Sequence, residues 1–208
     1  MTRLEREGER YAAHHRDRRS AGDFVFVPER LPLFVHYVGG PGKRVLDLGC
    51  RSGAVSRHYA PGNELVGVDV DAGALERAAQ HGVHAVVGDV EEPLPFDDES
   101  FDVVVAGELI EHVRDPQLLA AEAARVLRRG GRLVGSTPNS YRLQGRFRFL
   151  RGRHPDGDPT HLHFFSPGEL REILSGFDGL ELLYVGGRYA RLHPRLLARG
   201  IVFTGIRP

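Results

Sequence analysis

From Arg44 onward, short apolar runs alternate with helix-like segments, and this alternation limits the fold more than any other feature of the sequence. The runs at Arg44–Leu48, Glu64–Asp69, Val83–Gly88, Phe101–Gly107 and Arg132–Thr137 are short and rich in Val and Leu, and read as buried strands. Helices fit between them at Ala54–Tyr59, Ala72–His81 and Pro116–Arg128. The third is bounded by Asp115 as its cap, Pro116 in its first turn, and Arg128, Arg129 and Gly130 at its end. Strand, helix and parallel strand in succession demand crossovers that cover both faces of a sheet. A helix at Pro167–Ser175 and strands at Leu180–Val185 and Ile201–Arg207 complete the pattern. Upstream, a helix over Pro28–Val38 is broken by Gly39, Gly40, Pro41 and Gly42.

The chain of 208 residues suits one α/β domain. Residues 1–40 read as an N-terminal helical lid segment, and residues 41–208 as the domain, with a basic insertion at about 139–165 on the acceptor side. The 28 Lys and Arg balance the 28 Asp and Glu, so the chain as a whole has no non-specific pull toward nucleic acid or anionic membrane, and any such effect must come from a local patch. Cys50 is the single cysteine, which excludes an internal disulfide and fits a reducing, cytoplasmic location. No apolar run approaches the roughly 18 residues of a membrane span. The sequence leaves the oligomeric state open.

Val45-Leu46-Asp47-Leu48-Gly49-Cys50-Arg51-Ser52-Gly53 is a strand that runs into a glycine turn, where the backbone can approach a ligand closely. The second strand ends 22 positions after Asp47 in Asp69, which is placed to accept hydrogen bonds from ribose hydroxyls. The third ends in Gly88-Asp89-Val90, which adds a carboxylate to the same rim. A dinucleotide fingerprint would want Gly-x-Gly-x-x-Gly, which this loop lacks. These motifs, followed by Phe101-Asp102-Val103-Val104-Val105 and Leu127-Arg128-Arg129-Gly130-Gly131-Arg132-Leu133, resemble the class I methyltransferases, which use S-adenosylmethionine.

The resemblance implies a Rossmann-like, seven-stranded, mostly parallel sheet with helices on both faces and an antiparallel last pair. It also implies that Asp47, Gly49, Cys50, Arg51 and Gly53 surround the methionyl part of the cofactor, that Asp69 and Val70 meet its ribose, that Asp89 and Val90 meet its adenine, and that Glu108 faces it. Arg51 stands where many relatives carry glycine. Either its backbone is strained by a positive φ, or it sits comfortably and its charge serves the methionine carboxylate.

The acceptor should meet the methyl group beyond the fourth strand, where Glu108-Leu109-Ile110-Glu111-His112 follows. One helical turn there would put Glu108, Glu111 and His112 on neighbouring surface. With a later histidine they offer mixed oxygen and nitrogen ligands for Mg, Mn, Fe or Zn. Glu-x-x-Glu-His with a later His resembles the metal-dependent methyltransferases of small-RNA ribose ends and of catechol-like ubiquinone precursors, and that resemblance implies Glu108, Glu111, His112 and His161 as ligands. Without a metal, His112, His161 or His163 is a candidate catalytic base, or the three are structural.

Arg142, Arg146, Arg148, Arg151 and Arg153 share a stretch without acids, in which Leu143, Phe147 and Leu150 recur at helical spacing. One face of such a helix would pack while the other recognises an anionic acceptor, or is simply solvated. Through Pro159-Thr160-His161-Leu162-His163 the chain is also similar to the methionine-biosynthesis protein MetW and its relatives. The expected function is O-methylation of a hydroxylated, sugar-like or diol-bearing small molecule. RNA ribose methylation ranks lower, because no separate RNA-binding module is present. A MetW-like role would instead be to bind cofactor and support a partner enzyme.

Overall fold

The computed structural model describes residues 6, 8, 9 and 28–208. Most of the expected lid segment, residues 1–40, therefore lies outside the described residues. In chain order the elements are a 3-10 turn at Pro28–Arg30, α1 (Leu31–Val38), β1 (Arg44–Leu48), a 3-10 turn at Ser56–His58, β2 (Glu64–Asp69), α2 (Ala72–Ala79), β3 (His84–Val87), β4 (Phe101–Gly107), α3 (Pro116–Val126), β5 (Leu127–Pro138), α4 (Leu143–Leu150), α5 (Pro167–Ile173), β6 (Asp178–Val185), α6 (Pro194–Leu197) and β7 (Gly200–Ile206).

The seven strands form one sheet in the order β3-β2-β1-β4-β5-β7-β6. The strands from β3 to β5 pair in parallel, and β7 inserts antiparallel between β5 and β6. The expected Rossmann-like, mostly parallel sheet with an antiparallel last pair is thus the fold. Alternate residues feed two apolar layers: Leu46, Leu48, Val66, Val68 and Val104 pack toward α3 and α5, while Val45, Leu65, Val103 and Val105 join Phe34 of α1 and Leu75 of α2. This two-sided burial is why β1 and β4 read as continuous apolar runs instead of alternating ones. After β1 the chain winds outward to β2 and β3, then returns to place β4 on the other side of β1. The loops at the carboxyl ends of β1 and β4 therefore diverge and leave a crevice, the usual ligand position in such sheets.

Three expectations need correction. The helix at Ala54–Tyr59 shrinks to the 3-10 turn, because the Ser56 and Tyr59 hydroxyls both reach down to Asp47 Oδ2, at 2.5 and 2.6 Å. That tether, together with bonds from His58 and Tyr59 to carbonyls three residues back, tightens the segment beyond α geometry. The third helix stops at Val126, since Leu127 is already extended and pairs with Phe101, so β5 begins five residues earlier than Arg132. In α4 the apolar side chains do not pack: Leu143, Phe147 and Leu150 are 42, 50 and 78% exposed, and among the residues of that helix only Gly145 is buried.

Candidate active site

The crevice is a cavity of about 590 Å³ lined by Gly49–Ser52, Asp69–Asp71, Gly88–Glu91, Gly107–Leu109, His112–Arg114 and part of the segment from Asp156 to Leu162. Its floor is the turn after β1. Gly49, Arg51 and Gly53 all have positive φ, at 69, 47 and 73°. Glycine takes that conformation freely, while an L-residue pays roughly 1–2 kcal/mol. The φ of Arg51 decides for the strained backbone and against the comfortable one, and Arg51 is among the residues that line the cavity. The turn is held by Asp69, whose carboxylate accepts from the Arg51 and Asp71 backbone N–H groups at 2.9 Å each. Burial raises the Asp69 pKa, and those two backbone donors oppose the rise. Asp89 lines the same cavity and accepts from the Glu91 backbone N–H at 3.0 Å.

Asp47 plays a different part. It lies 4% exposed beneath the turn and touches the cavity from below. Burial pushes its carboxyl up to about 6 despite the hydroxyls of Ser56 and Tyr59. Cys50 is buried, and burial pushes its thiol up as well, which makes it an inert packing group. Val70 and Val90 both line the cavity. Above this rim Gly8, which is helical and buried, comes so close to the Val70 carbonyl that a Cβ would lie 2.4 Å from its oxygen.

The residues after β4 form a tight turn instead of the helical turn expected for Glu108–His112. Glu108 takes a φ of 54°, and its Oε1 accepts from Arg30 Nη1 and Ser136 Oγ, both at 2.9 Å. That carboxylate is spent on a buried ion pair, and it stands apart from the other expected metal ligands. Glu111, His112 and His161 do come together, with one ligand atom from each lying within 4.8 Å of the others. Glu111 is 1% exposed and neither carboxylate oxygen has a hydrogen-bond partner. Burial drives its carboxyl well above the usual range, Glu108 adds to the rise, and the nearby Thr137 hydroxyl offsets only part of it.

The two histidines are oriented from behind. His112 Nδ1 lies 3.2 Å from the Thr160 carbonyl, and His161 Nδ1 lies 2.9 Å from Asp156 Oδ2. Burial works to raise the Asp156 carboxyl, but hydrogen bonds from His161 and Ser140 outweigh it and hold it below the usual range. The Glu111 carbonyl accepts from both Leu162 and His163 backbone N–H groups, which pins this distant loop to the turn after β4. His163 itself is not brought to the cavity: it stacks on Phe165, and its Nε2 is buried without a partner. Of the basic insertion, Asp156, Asp158, Thr160, His161 and Leu162 line the cavity, whereas the five arginines from Arg142 to Arg153 do not.

Sequence reasoning overlooked Arg30, Ser136 and Asp156. Arg30 meets Ser136 across 106 positions of chain, and no local spacing announces such a pair. Asp156 precedes His161 by five residues in an irregular loop, and its only signal was its place among the histidines.

Residues 46–135 match the family described as Methyltransferase domain. Over 165 residues the chain is 34% identical to the ubiquinone biosynthesis O-methyltransferase of Hahella chejuensis, covering 74% of this chain and 66% of that protein. With the enzyme of the same name from Coxiella burnetii it shares 31% over 173 residues, 77% of this chain and 73% of the other. The chain thus spans around two thirds of the length of these relatives, with coverage of 66% and 63% for two of them. A crystal structure of a SAM-dependent methyltransferase from Thermotoga maritima superimposes with a TM-score of 0.70 over 99% of this chain and 97% of that one, at 23% identity. Sheet order, crevice and relatives agree, and the chain belongs to the class I S-adenosylmethionine-dependent methyltransferases, alongside the ubiquinone biosynthesis O-methyltransferases.

Proposed function

We propose that this protein transfers the methyl group of S-adenosylmethionine to a hydroxyl oxygen of a small acceptor, with a divalent cation held by Glu111, His112 and His161. The observation that carries the metal is Glu111. A carboxylate whose two oxygens are buried without hydrogen-bond partners is costly, and either a proton or a cation must relieve it. Two imidazole nitrogens within 4.8 Å favour the cation, and an oxygen with two nitrogens suits Mn²⁺, Fe²⁺ or Zn²⁺ better than Mg²⁺. A bound cation would lower the pKa of the acceptor hydroxyl and fix its direction.

The remaining work falls to the chain. The turn Gly49–Gly53 and the carboxylates of Asp69 and Asp89 hold the cofactor, with Arg51 toward its methionine carboxylate. The loop from Asp156 to Leu162 closes the acceptor side and excludes water. Transfer is an in-line displacement: the oxygen–carbon bond forms as the carbon–sulfur bond breaks, and sulfur keeps the electron pair. A second reading rests on the 2.9 Å contact between Asp156 and His161 Nδ1. It fixes the tautomer that leaves His161 Nε2 as a general base, with no metal required. The relatives' names favour a small-molecule acceptor over an RNA ribose, and the paired ligand groups favour turnover over a purely supporting role.

The test is methyl transfer to a catechol-type diol before and after chelation, with Mn²⁺, Fe²⁺ or Zn²⁺ restored, beside calorimetry of metal binding to the protein alone. Metal-restored activity and metal binding that disappears in Glu111→Gln support the cation. Chelator-resistant turnover that depends on His161 moves the role to the histidine base.

A further inference from the structure

A single carboxylate oxygen ties the loop after α4 both to the sheet and to the reaction centre. Asp156 Oδ2 accepts from Ser140 Oγ at 2.8 Å and from His161 Nδ1 at 2.9 Å. Ser140 is buried just beyond the end of β5 and lies 16 positions before Asp156, so their bond closes the neck of the excursion that contains α4. Helix α4 reinforces that closure. Its Gly145 packs so near Ser140 that a Cβ would lie 2.1 Å from the carbonyl oxygen, and its Arg148 Nε donates to the His154 carbonyl at 2.8 Å. The carboxylate is thus held from the sheet side, independently of His161.

Both imidazoles face groups that can only accept. An ionised carboxylate meets His161 Nδ1 and a backbone carbonyl meets His112 Nδ1, so each Nδ1 carries the proton and each Nε2 keeps a lone pair. A carboxylate or carbonyl behind a histidine is the arrangement that orients an imidazole ligand and raises its basicity. The two partners differ in charge. Asp156 Oδ1 is buried without a hydrogen-bond partner. His154 Nδ1 stands 3.5 Å from it but accepts from the Gly157 N–H at 3.2 Å, and a nitrogen that accepts has no proton to give. The side chains of Asp156 and His161 are each 9% exposed, so water screens the contact little, and the charge of Asp156 acts on His161 through the 2.9 Å bond.

We infer that Ser140 and Asp156 are the positioning pair of the reaction centre: Ser140 sets the Asp156 carboxylate, and Asp156 sets the tautomer and the ligand strength of His161. The inference rests on Glu111, His112 and His161 being that centre, and it holds whether His161 binds a cation or acts as the base.

The experiment is long-range proton–nitrogen correlation of the metal-free full chain with labelled histidine, the His161 signals being assigned by their loss in His161→Gln, beside calorimetry of Zn²⁺ binding. Wild type should show His161 protonated at Nδ1, and Asp156→Ala should convert most of it to the Nε2-protonated form that a free imidazole prefers. Asp156→Asn keeps an accepting oxygen, so it should keep the tautomer while losing the charge. Zn²⁺ affinity should fall by about ten- to a hundredfold in both variants and by about three- to tenfold in Ser140→Ala. S-adenosylmethionine affinity measured in the same preparations reports an intact fold. Nε2-protonated His161 in the wild type, a tautomer that persists in Asp156→Ala, or Zn²⁺ affinity that Asp156→Asn leaves within about twofold would overturn the proposal. Wild type that binds no Zn²⁺ while its tautomer still depends on Asp156 removes the cation from the proposed function and supports the pair as positioning residues of a histidine base.

Discussion

Two loops at the carboxyl edge of the sheet hold most of the ionisable groups near the crevice, and they are built on opposite plans. The carboxylates beneath the loop after β1 are satisfied from within, since Asp47 receives two hydroxyls and Asp69 two backbone N–H groups, and only the Arg51 Nε of that loop is buried without a partner. The turn after β4, with the loop from Asp156 to Leu162, is not. Glu111 keeps two buried oxygens without partners beside two imidazoles. A self-satisfied loop is a framework whose shape survives without ligand, whereas unsatisfied buried polar groups mark a place where something else must bind. Under the proposed function, loss of the first loop's carboxylates should cost cofactor affinity, and loss of the second loop's groups should cost rate.

The largest expected effect tests the second loop. Glu111→Gln or His161→Ala should lower kcat by about a hundredfold to ten-thousandfold with cofactor affinity nearly unchanged, a contrast that steady-state kinetics and calorimetry measure together. A matching loss of cofactor affinity would erase the distinction between the loops.

The framework can be probed without any ligand through Asp47. Its folded pKa of about 6 lies above the usual carboxylate value, so the folded state binds the proton more tightly. The resulting stability is present below about pH 4 and is lost as pH rises through about 6, by roughly 3 kcal/mol. Urea unfolding of the wild type and of Asp47→Asn across that window should show the wild type losing this increment and the variant not. Parallel curves would mean that Asp47 is not the group responsible.

Asp69→Ala and Asp89→Ala should weaken S-adenosylmethionine binding by about ten- to a hundredfold, equivalent to roughly 1.5–3 kcal/mol. Turnover at saturating cofactor should be largely kept. A fall in kcat larger than the loss of affinity would place these carboxylates in the chemistry and blur the division.

The smallest effect sharpens the reading of Arg51. Replacing it by glycine should relieve its φ of 47° and raise thermal stability by up to about 1 kcal/mol, while cofactor affinity falls because the guanidinium is gone. Opposite signs in melting temperature and calorimetry are the signature; a loss in both would mean the strain is negligible.

The sequence alone determined the strands of the sheet and the glycine turn after β1. Short Val- and Leu-rich runs alternating with helical segments point to buried parallel strands, and β1, β2 and β4 are buried nearly throughout, while the edge strand β3 is partly exposed. The glycines after β1 and the aspartates at or just beyond the ends of β2 and β3 follow from their distance along a strand, which puts Asp69 and Asp89 at one rim. The metal-ligand pattern was legible only in part. Glu111, His112 and His161 meet, but Glu108 is drawn away by Arg30 and Ser136, partners 78 and 28 positions distant. The apolar spacing of α4 was visible, yet whether that stripe faced the core or solvent depended on Gly145 seating the helix on the Ser140 carbonyl. Periodicity records which residues share a face of an element, because it follows from local backbone geometry. Which face finds a neighbour, and which carboxylate finds its cation, is decided by contacts between segments far apart in the chain, and only the tertiary structure brings those together.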